Sequence, residues 1–97
     1  MIARVTAFHF KNDRIDEALD IYNKSIVPAA KSQKGYKGLN FFINRKTGNA
    51  FSIAFWETEE DAIANEQSHY YQEQLVKLMH LYSKPPTLER YEVVFQD

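Results

Sequence analysis

Cysteine is absent from the 97 residues. That excludes disulfides, thiolate metal centres and a cysteine nucleophile, and thiol usage says nothing about redox compartment. There is no glycine-rich phosphate loop, nucleophile elbow or serine-histidine-aspartate spacing, so nucleotide enzymes and hydrolases fall away. No apolar run approaches the roughly 20 residues needed to cross a bilayer. The stretch Met1 to Phe10 carries Arg4 and His9 and lacks the pattern of a signal peptide, so a cytoplasmic protein with no membrane partner is expected. Neither sign of charge dominates: 12 basic and 13 acidic residues leave a formal net charge of −1. With no stripe of Lys and Arg to follow a phosphate backbone, nucleic acid is not an expected partner.

What is present fits one globular domain over residues 1–97: 44% of the chain is apolar and 14% aromatic. A domain of this size buries only about two-thirds of the surface its unfolded chain exposes. A further buried face, such as a homodimer interface, would add stability.

The residues from Ile2 to Phe10, with Val5, Thr6, Phe8 and Phe10, suit a strand covered on both faces. Asn12 and Asp13 are placed to cap a helix whose apolar stripe runs through Ile15, Ala18, Leu19, Tyr22 and Ile26. Pro28 predicts a kink or break in it, and Gly35 its end. A second strand is expected over Leu39 to Asn44, with Phe41 and Ile43 opposite Asn40, Phe42 and Asn44. Arg45 to Asn49 reads as a hairpin turn into a third strand, Ala50 to Glu57. In it Phe51, Ile53 and Phe55 form a bulky face, and Ala50, Ser52, Ala54 and Trp56 a mostly small one that leaves room for something else.

Thr58 predicts the cap of a second helix starting near Glu59, with an interruption around Asn65 to His69 where it can divide in two. Lys84, Pro85 and Pro86 are expected to stop that helix, and Leu88 to Phe95 to form the fourth strand. Strand, helix, strand, strand, helix, strand is the ferredoxin-like βαββαβ order, an α+β fold with an antiparallel four-stranded sheet.

Three segments carry a family resemblance: Gly35-Tyr36-Lys37-Gly38, Ile53-Ala54-Phe55-Trp56-Glu57 before an acidic helix start, and Ser68-His69-Tyr70-Tyr71. Together they resemble the antibiotic biosynthesis monooxygenase family. The resemblance implies a dimeric α+β barrel, in which two protomers join their sheets and each keeps a small pocket between sheet and helices. Its members include cofactor-free oxygenases of quinols, haem-degrading enzymes, a signalling-molecule isomerase and domains of unknown role, among which the fold alone does not choose; the leading expectation is a cofactor-independent monooxygenase acting on a small planar quinol-type molecule. Haem-degrading members use an asparagine, a tryptophan and a histidine where this chain has approximately Val5, Asn65 and Leu75, so haem degradation is not expected. Many members carry a histidine where this chain has Tyr70, so acid-base roles tied to that histidine do not transfer.

His9 is the candidate base for a phenolic or enolic proton, because histidine is the side chain suited to proton transfer at neutral pH, provided it lies on the pocket side of the first strand, as the resemblance implies; otherwise it is a strand-end histidine meeting solvent or capping a neighbouring carbonyl. Trp56 falls where the resemblance puts the family's tryptophan, and it can wall a planar ligand or seat the second helix. Asn40, Ser52 and Asn65 offer neutral hydrogen bonds to a carbonyl or to reduced oxygen, or serve ordinary polar satisfaction. Tyr70, with Tyr22, Tyr71 and Tyr82, can line the pocket or sit in the core with a wet tip. His69 and His80 are too far apart along a helix to share a metal ion, and no metal or other cofactor is expected. The rival reading is a dimeric domain that binds a small ligand without catalysis, its pocket apolar and its polar groups already paired.

Overall fold

The computed structural model describes all residues, Met1–Asp97. Strand β1 (Ile2–Phe10) lies inside a four-stranded antiparallel sheet of order β2-β3-β1-β4, with β2 at Tyr36–Ile43, β3 at Asn49–Trp56 and β4 at Tyr82–Glu92. Helices α1 (Ile15–Ile21) and α2 (Val27–Lys31) follow β1, and α3 (Glu59–Glu66) and α4 (His69–Leu78) follow β3. This is the ferredoxin-like α+β layout anticipated above.

Alternation along the strands divides the sheet into two faces. On one, Arg4, Thr6, Phe8 and Phe10 of β1 and Ala50, Ser52, Ala54 and Trp56 of β3 are buried beneath the helices. Two clusters of apolar contacts form there. Phe8, Phe10, Ala18, Ala50, Leu78 and Leu81 make the larger, and Ala54, Trp56 and Ala62 the smaller. Between them the two central strands carry Thr6 and Ser52, whose side chains are too short to fill the space, and that shortfall opens the pocket.

The first helical segment is broken, and Pro28 explains the break. Its ring nitrogen has no hydrogen to donate, and the turn before it widens: Tyr22–Ile26 is π-helical, with the Val27 amide donating to the Tyr22 carbonyl. Asn12 and Asp13 do not cap α1. Residues Asn12–Arg14 form a 3-10 turn without a side-chain cap, and Asn12 Nδ2 donates instead to the Lys46 carbonyl at 2.8 Å. Tethering of the sequence-distant hairpin outcompetes the local cap.

The hairpin and the divided second helix follow the sequence reading. Asn44 Oδ1 accepts from the amides of Lys46 and Thr47, and Gly48 takes φ +81. The Asp61 amide donates to Thr58 Oγ1 at 3.1 Å, and the Tyr71 amide to Ser68 Oγ at 3.2 Å, so α3 and α4 each begin on a hydroxyl cap. The expectation for Pro85 and Pro86 was wrong. Helix α4 ends at Leu78, a 3-10 turn covers Met79–Leu81, and both prolines lie inside β4. That strand is at the sheet edge, and its pairing with β1 shifts register between Ala7 and Phe10. An edge strand at a bulge can do without two donors. The fourth strand accordingly starts six residues earlier than expected, and Val93 to Phe95 lie beyond it.

Candidate functional site

The pocket lies between the sheet and the helices, with about 60 Å³ of water-accessible space. A single water needs roughly 10–15 Å³ on that measure, so there is room for several waters or a small planar molecule. The sheet contributes Arg4, Thr6, Phe8, Leu39, Ser52 and Ala54 to its floor. The π-helical turn and α2 supply Tyr22, Ile26 and Ala30 on one side, and α3 and α4 supply Asn65, Tyr70, Tyr71 and Gln74 on the other.

Arg4 is the charged group of the site, and the residue pattern alone did not single it out. It is 6% exposed. Its guanidinium carbon stands 5.1 Å from the ring centre of Trp56 and 4.6 Å from that of Tyr71, within the range of cation–π attraction. Both of its polar contacts within the chain are made by Nη1: the Ala62 carbonyl at 3.4 Å and Glu66 Oε2 at 3.5 Å. Glu66 is shared, since its Oε1 accepts from Arg90 Nη1 at 2.6 Å. A guanidinium has five N–H donors, so Nε and Nη2 remain without an acceptor in the chain. Burial pulls Arg4 below the ordinary guanidinium value, opposed by Tyr71 and Glu66; an arginine stays charged nonetheless.

The tyrosines around this cation are held neutral. Burial pushes Tyr22 up to about 12, against a smaller opposing effect of its hydrogen bond with Ser52; the two hydroxyl oxygens are 2.5 Å apart. Burial also raises Tyr71, with the charge of Arg4 acting in the opposite direction. At neutral pH both phenols keep their protons and neither is a base. Gln74 is buried, and its Oε1 accepts from Ser25 Oγ at 2.8 Å.

The sequence candidates divide accordingly. Ser52, Asn65 and Tyr70 line the pocket; Asn65 is buried with its Oδ1 unpartnered, and Tyr70 stands more than half exposed at the rim. His9 does not reach it. It alternates with Phe8 and Phe10 and therefore points to the opposite face of β1, where Nδ1 lies 2.8 Å from Asn49 Oδ1. Asn40 is also excluded: it is exposed and does not share the face of Leu39 and Phe41. Trp56 is fully buried but is not part of the pocket wall; it supports Arg4 from behind and meets Tyr36 edge-on, ring centres 6.2 Å apart. Arg4 could have been found from the sequence only by asking why a strand of Thr6, Phe8 and Phe10 carries a cation on the same face.

Fold and site together define a small α+β domain with a cation-floored pocket beneath paired helices. Known structures share this fold. A protein from Bordetella bronchiseptica, provisionally named an antibiotic biosynthesis monooxygenase, superposes with a TM-score of 0.84 at 16% identity, covering 97% of each chain. One from Deinococcus radiodurans with the same provisional name gives 0.83 at 11% identity, over 100% of this chain and 96% of that one. A Nitrosomonas europaea protein of unknown function gives 0.82 at 16%, over 99% and 91%. No protein-family model matches the sequence, and neither does any curated protein. The likeness is one of fold, the fold of the antibiotic biosynthesis monooxygenase structures.

Proposed function

We propose that this chain binds a small planar phenolic or enolic molecule as its anion, in the pocket above Arg4, and passes it to dioxygen without metal or flavin. The observation that carries the reading is the buried Arg4 guanidinium, which lines an otherwise largely apolar pocket with N–H groups that have no acceptor in the chain. Buried N–H donors left without an acceptor are costly even where the charge is paired, as Arg4 is with Glu66, and a ligand oxyanion satisfies them. The named function of two fold relatives agrees with this chemistry.

In the reaction, the substrate loses a proton to become a ring-delocalised anion, which Arg4 stabilises. The anion gives one electron to dioxygen, and the carbon radical and superoxide combine to a peroxide. Loss of water from the protonated peroxide turns a ring CH2 into C=O, so one oxygen atom enters the product and the other leaves as water. No pocket-lining side chain is a base at neutral pH, and the Glu66 carboxylate is shared by Arg4 and Arg90. Preferred substrates are therefore those acidic enough to give up the proton to solvent once Arg4 stabilises the anion.

The homodimer belongs to this proposal. The sheet face away from the helices carries Val5, Ala7, Ile53 and Phe55, with Phe42 and Phe51 paired across β2 and β3 and each about half exposed. An apolar sheet face of this kind is satisfied by a second copy.

The second reading, ligand binding without catalysis, is favoured by one observation: the Tyr22 and Ser52 hydroxyls are already paired with each other. Oxygen uptake with product analysis over anthrones and dihydroxynaphthalenes separates the two. Saturable uptake above the autoxidation blank, lost on heating the protein, supports catalysis. Blank-level rates, with ligand-raised melting temperature and unmodified ligand recovered, support binding alone.

A further inference from the structure

A hydrogen-bonded chain runs from the surface to the pocket wall. Lys77 Nζ, on the outer side of α4, donates to Ser25 Oγ at 2.6 Å. Ser25, in the π-helical turn, donates in turn to Gln74 Oε1 at 2.8 Å. An ammonium can only donate, so Lys77 fills an acceptor position on Ser25 and leaves the serine proton for Gln74. The amide of Gln74 is thereby oriented: its oxygen is occupied on the helix side, and its NH2 end is the free end. Gln74 is 8% exposed and lines the pocket. Asn65 shows the contrast, since nothing within the chain holds its amide oxygen.

We infer that Lys77 and Ser25 are positioning residues that fix Gln74 as a hydrogen-bond donor into the pocket, so that the preferred ligand carries a carbonyl or other acceptor oxygen in addition to the anionic oxygen taken by Arg4. This rests on the pocket assignment above and narrows it to planar oxyanions bearing a second acceptor. The π-helical turn is what brings Ser25 to α4, and such turns recur at functional sites. Polarisation along the chain strengthens each bond in it, so loss of the exposed lysine is felt at the buried amide.

The test uses the full chain and two air-stable probes of one shape: 2-hydroxy-1,4-naphthoquinone, which offers an oxyanion and carbonyls, and naphthalene, which offers neither. Their affinities are measured for the wild type and for Ser25→Ala, Lys77→Met, Lys77→Arg and Arg4→Met, with ligand-free melting temperatures confirming that each variant folds. The wild type is expected to prefer the quinone by at least about tenfold, the scale of a charge-assisted hydrogen bond. Ser25→Ala and Lys77→Met should each weaken the quinone about three- to tenfold and leave naphthalene unchanged, and Lys77→Arg should retain wild-type affinity. Unchanged quinone affinity in Ser25→Ala and Lys77→Met, with Arg4→Met still losing it, overturns the relay and leaves the pocket reading standing. Equal loss of both probes overturns it as well, because that is the signature of packing alone. A wild type that does not discriminate between the probes overturns the relay and the pocket reading together.

Discussion

The Arg4 guanidinium lies against the ring of Tyr71, 4.6 Å from its centre, and this contact joins β1 to α4 across the pocket. The cation is held from behind by Trp56 and tethered at one end by Glu66, so it is fixed in position before any ligand arrives. A preorganised charge costs little reorganisation when a ligand anion enters.

Arg4→Met keeps much of the side-chain volume and removes the charge. It leaves Glu66 with Arg90 as its remaining close cation, so urea denaturation should show a loss of roughly 1–3 kcal/mol, less than for a fully orphaned buried charge. Isothermal titration should show the oxyanion probe weakened by more than tenfold. A variant that binds the anion as well as the wild type removes Arg4 from the site.

Tyr22 gives the fold an alkaline limit. Its folded-state pKa of about 12 exceeds the ordinary value of 10.0, so the native state holds this proton more tightly than the unfolded chain does. The stability linked to it is complete below pH 10 and is lost as pH rises from 10 towards 12, by order of magnitude about 1.4 kcal/mol per pH unit. Melting temperature should fall steeply across that window. Tyr22→Phe removes the hydrogen bond to Ser52, costing about 1–2 kcal/mol at pH 8, and should make the alkaline decline shallower, leaving the part carried by Tyr71 and Tyr82, which burial also raises; an equally steep decline would show that those groups set it.

His9→Ala should leave ligand affinity and any oxygen uptake at wild-type levels, because the ring lies on the opposite sheet face from the pocket, beside Asn49. Steady-state uptake and titration check this directly. A sharp fall in turnover at unchanged melting temperature would return His9 to the chemistry.

Gly48→Ala and Gly35→Ala should both be markedly destabilising. Both glycines have φ near +80; a Cβ on Gly48 would lie 2.2 Å from the backbone oxygen of Phe10, and one on Gly35 would lie 2.7 Å from the Cβ of Asp61, which turning that side chain does not move. Urea melts should give a loss of about 2 kcal/mol or more for each. A loss well below that for either would show that the turn there yields.

Phe51→Glu places a charge in the middle of the open sheet face, opposite Phe42. Sedimentation velocity should show a dimer for the wild type and a monomer for this variant. A wild type that is monomeric at high concentration contradicts the proposed pairing.

Much of the fold was legible because its signals are local. The ends of β1, the hairpin after Asn44 and the cap at Thr58 depend on neighbours within a few residues. What was misread depends on distant partners. Asn12 tethers Lys46 instead of capping α1, and Pro85 and Pro86 sit in a strand because β4 is an edge with a bulge. The site was legible in part, for the same reason. The small face of β3 follows from periodicity, and the pocket around which Ser52, Asn65 and Tyr70 stand was implied by the family resemblance, but the choice between His9 and Phe8 turns on a single residue of parity. Arg4 becomes prominent only when Trp56, Glu66 and Tyr71, 52 to 67 positions away in the chain, close around it.

The most direct measurement is a crystal structure of the chain with 2-hydroxy-1,4-naphthoquinone. An anionic oxygen within hydrogen-bond distance of Nε or Nη2 of Arg4, with the ring between the sheet and Tyr71, is the predicted result. A probe bound elsewhere, on the open sheet face or at the surface, with the space above Arg4 filled by water, would contradict it.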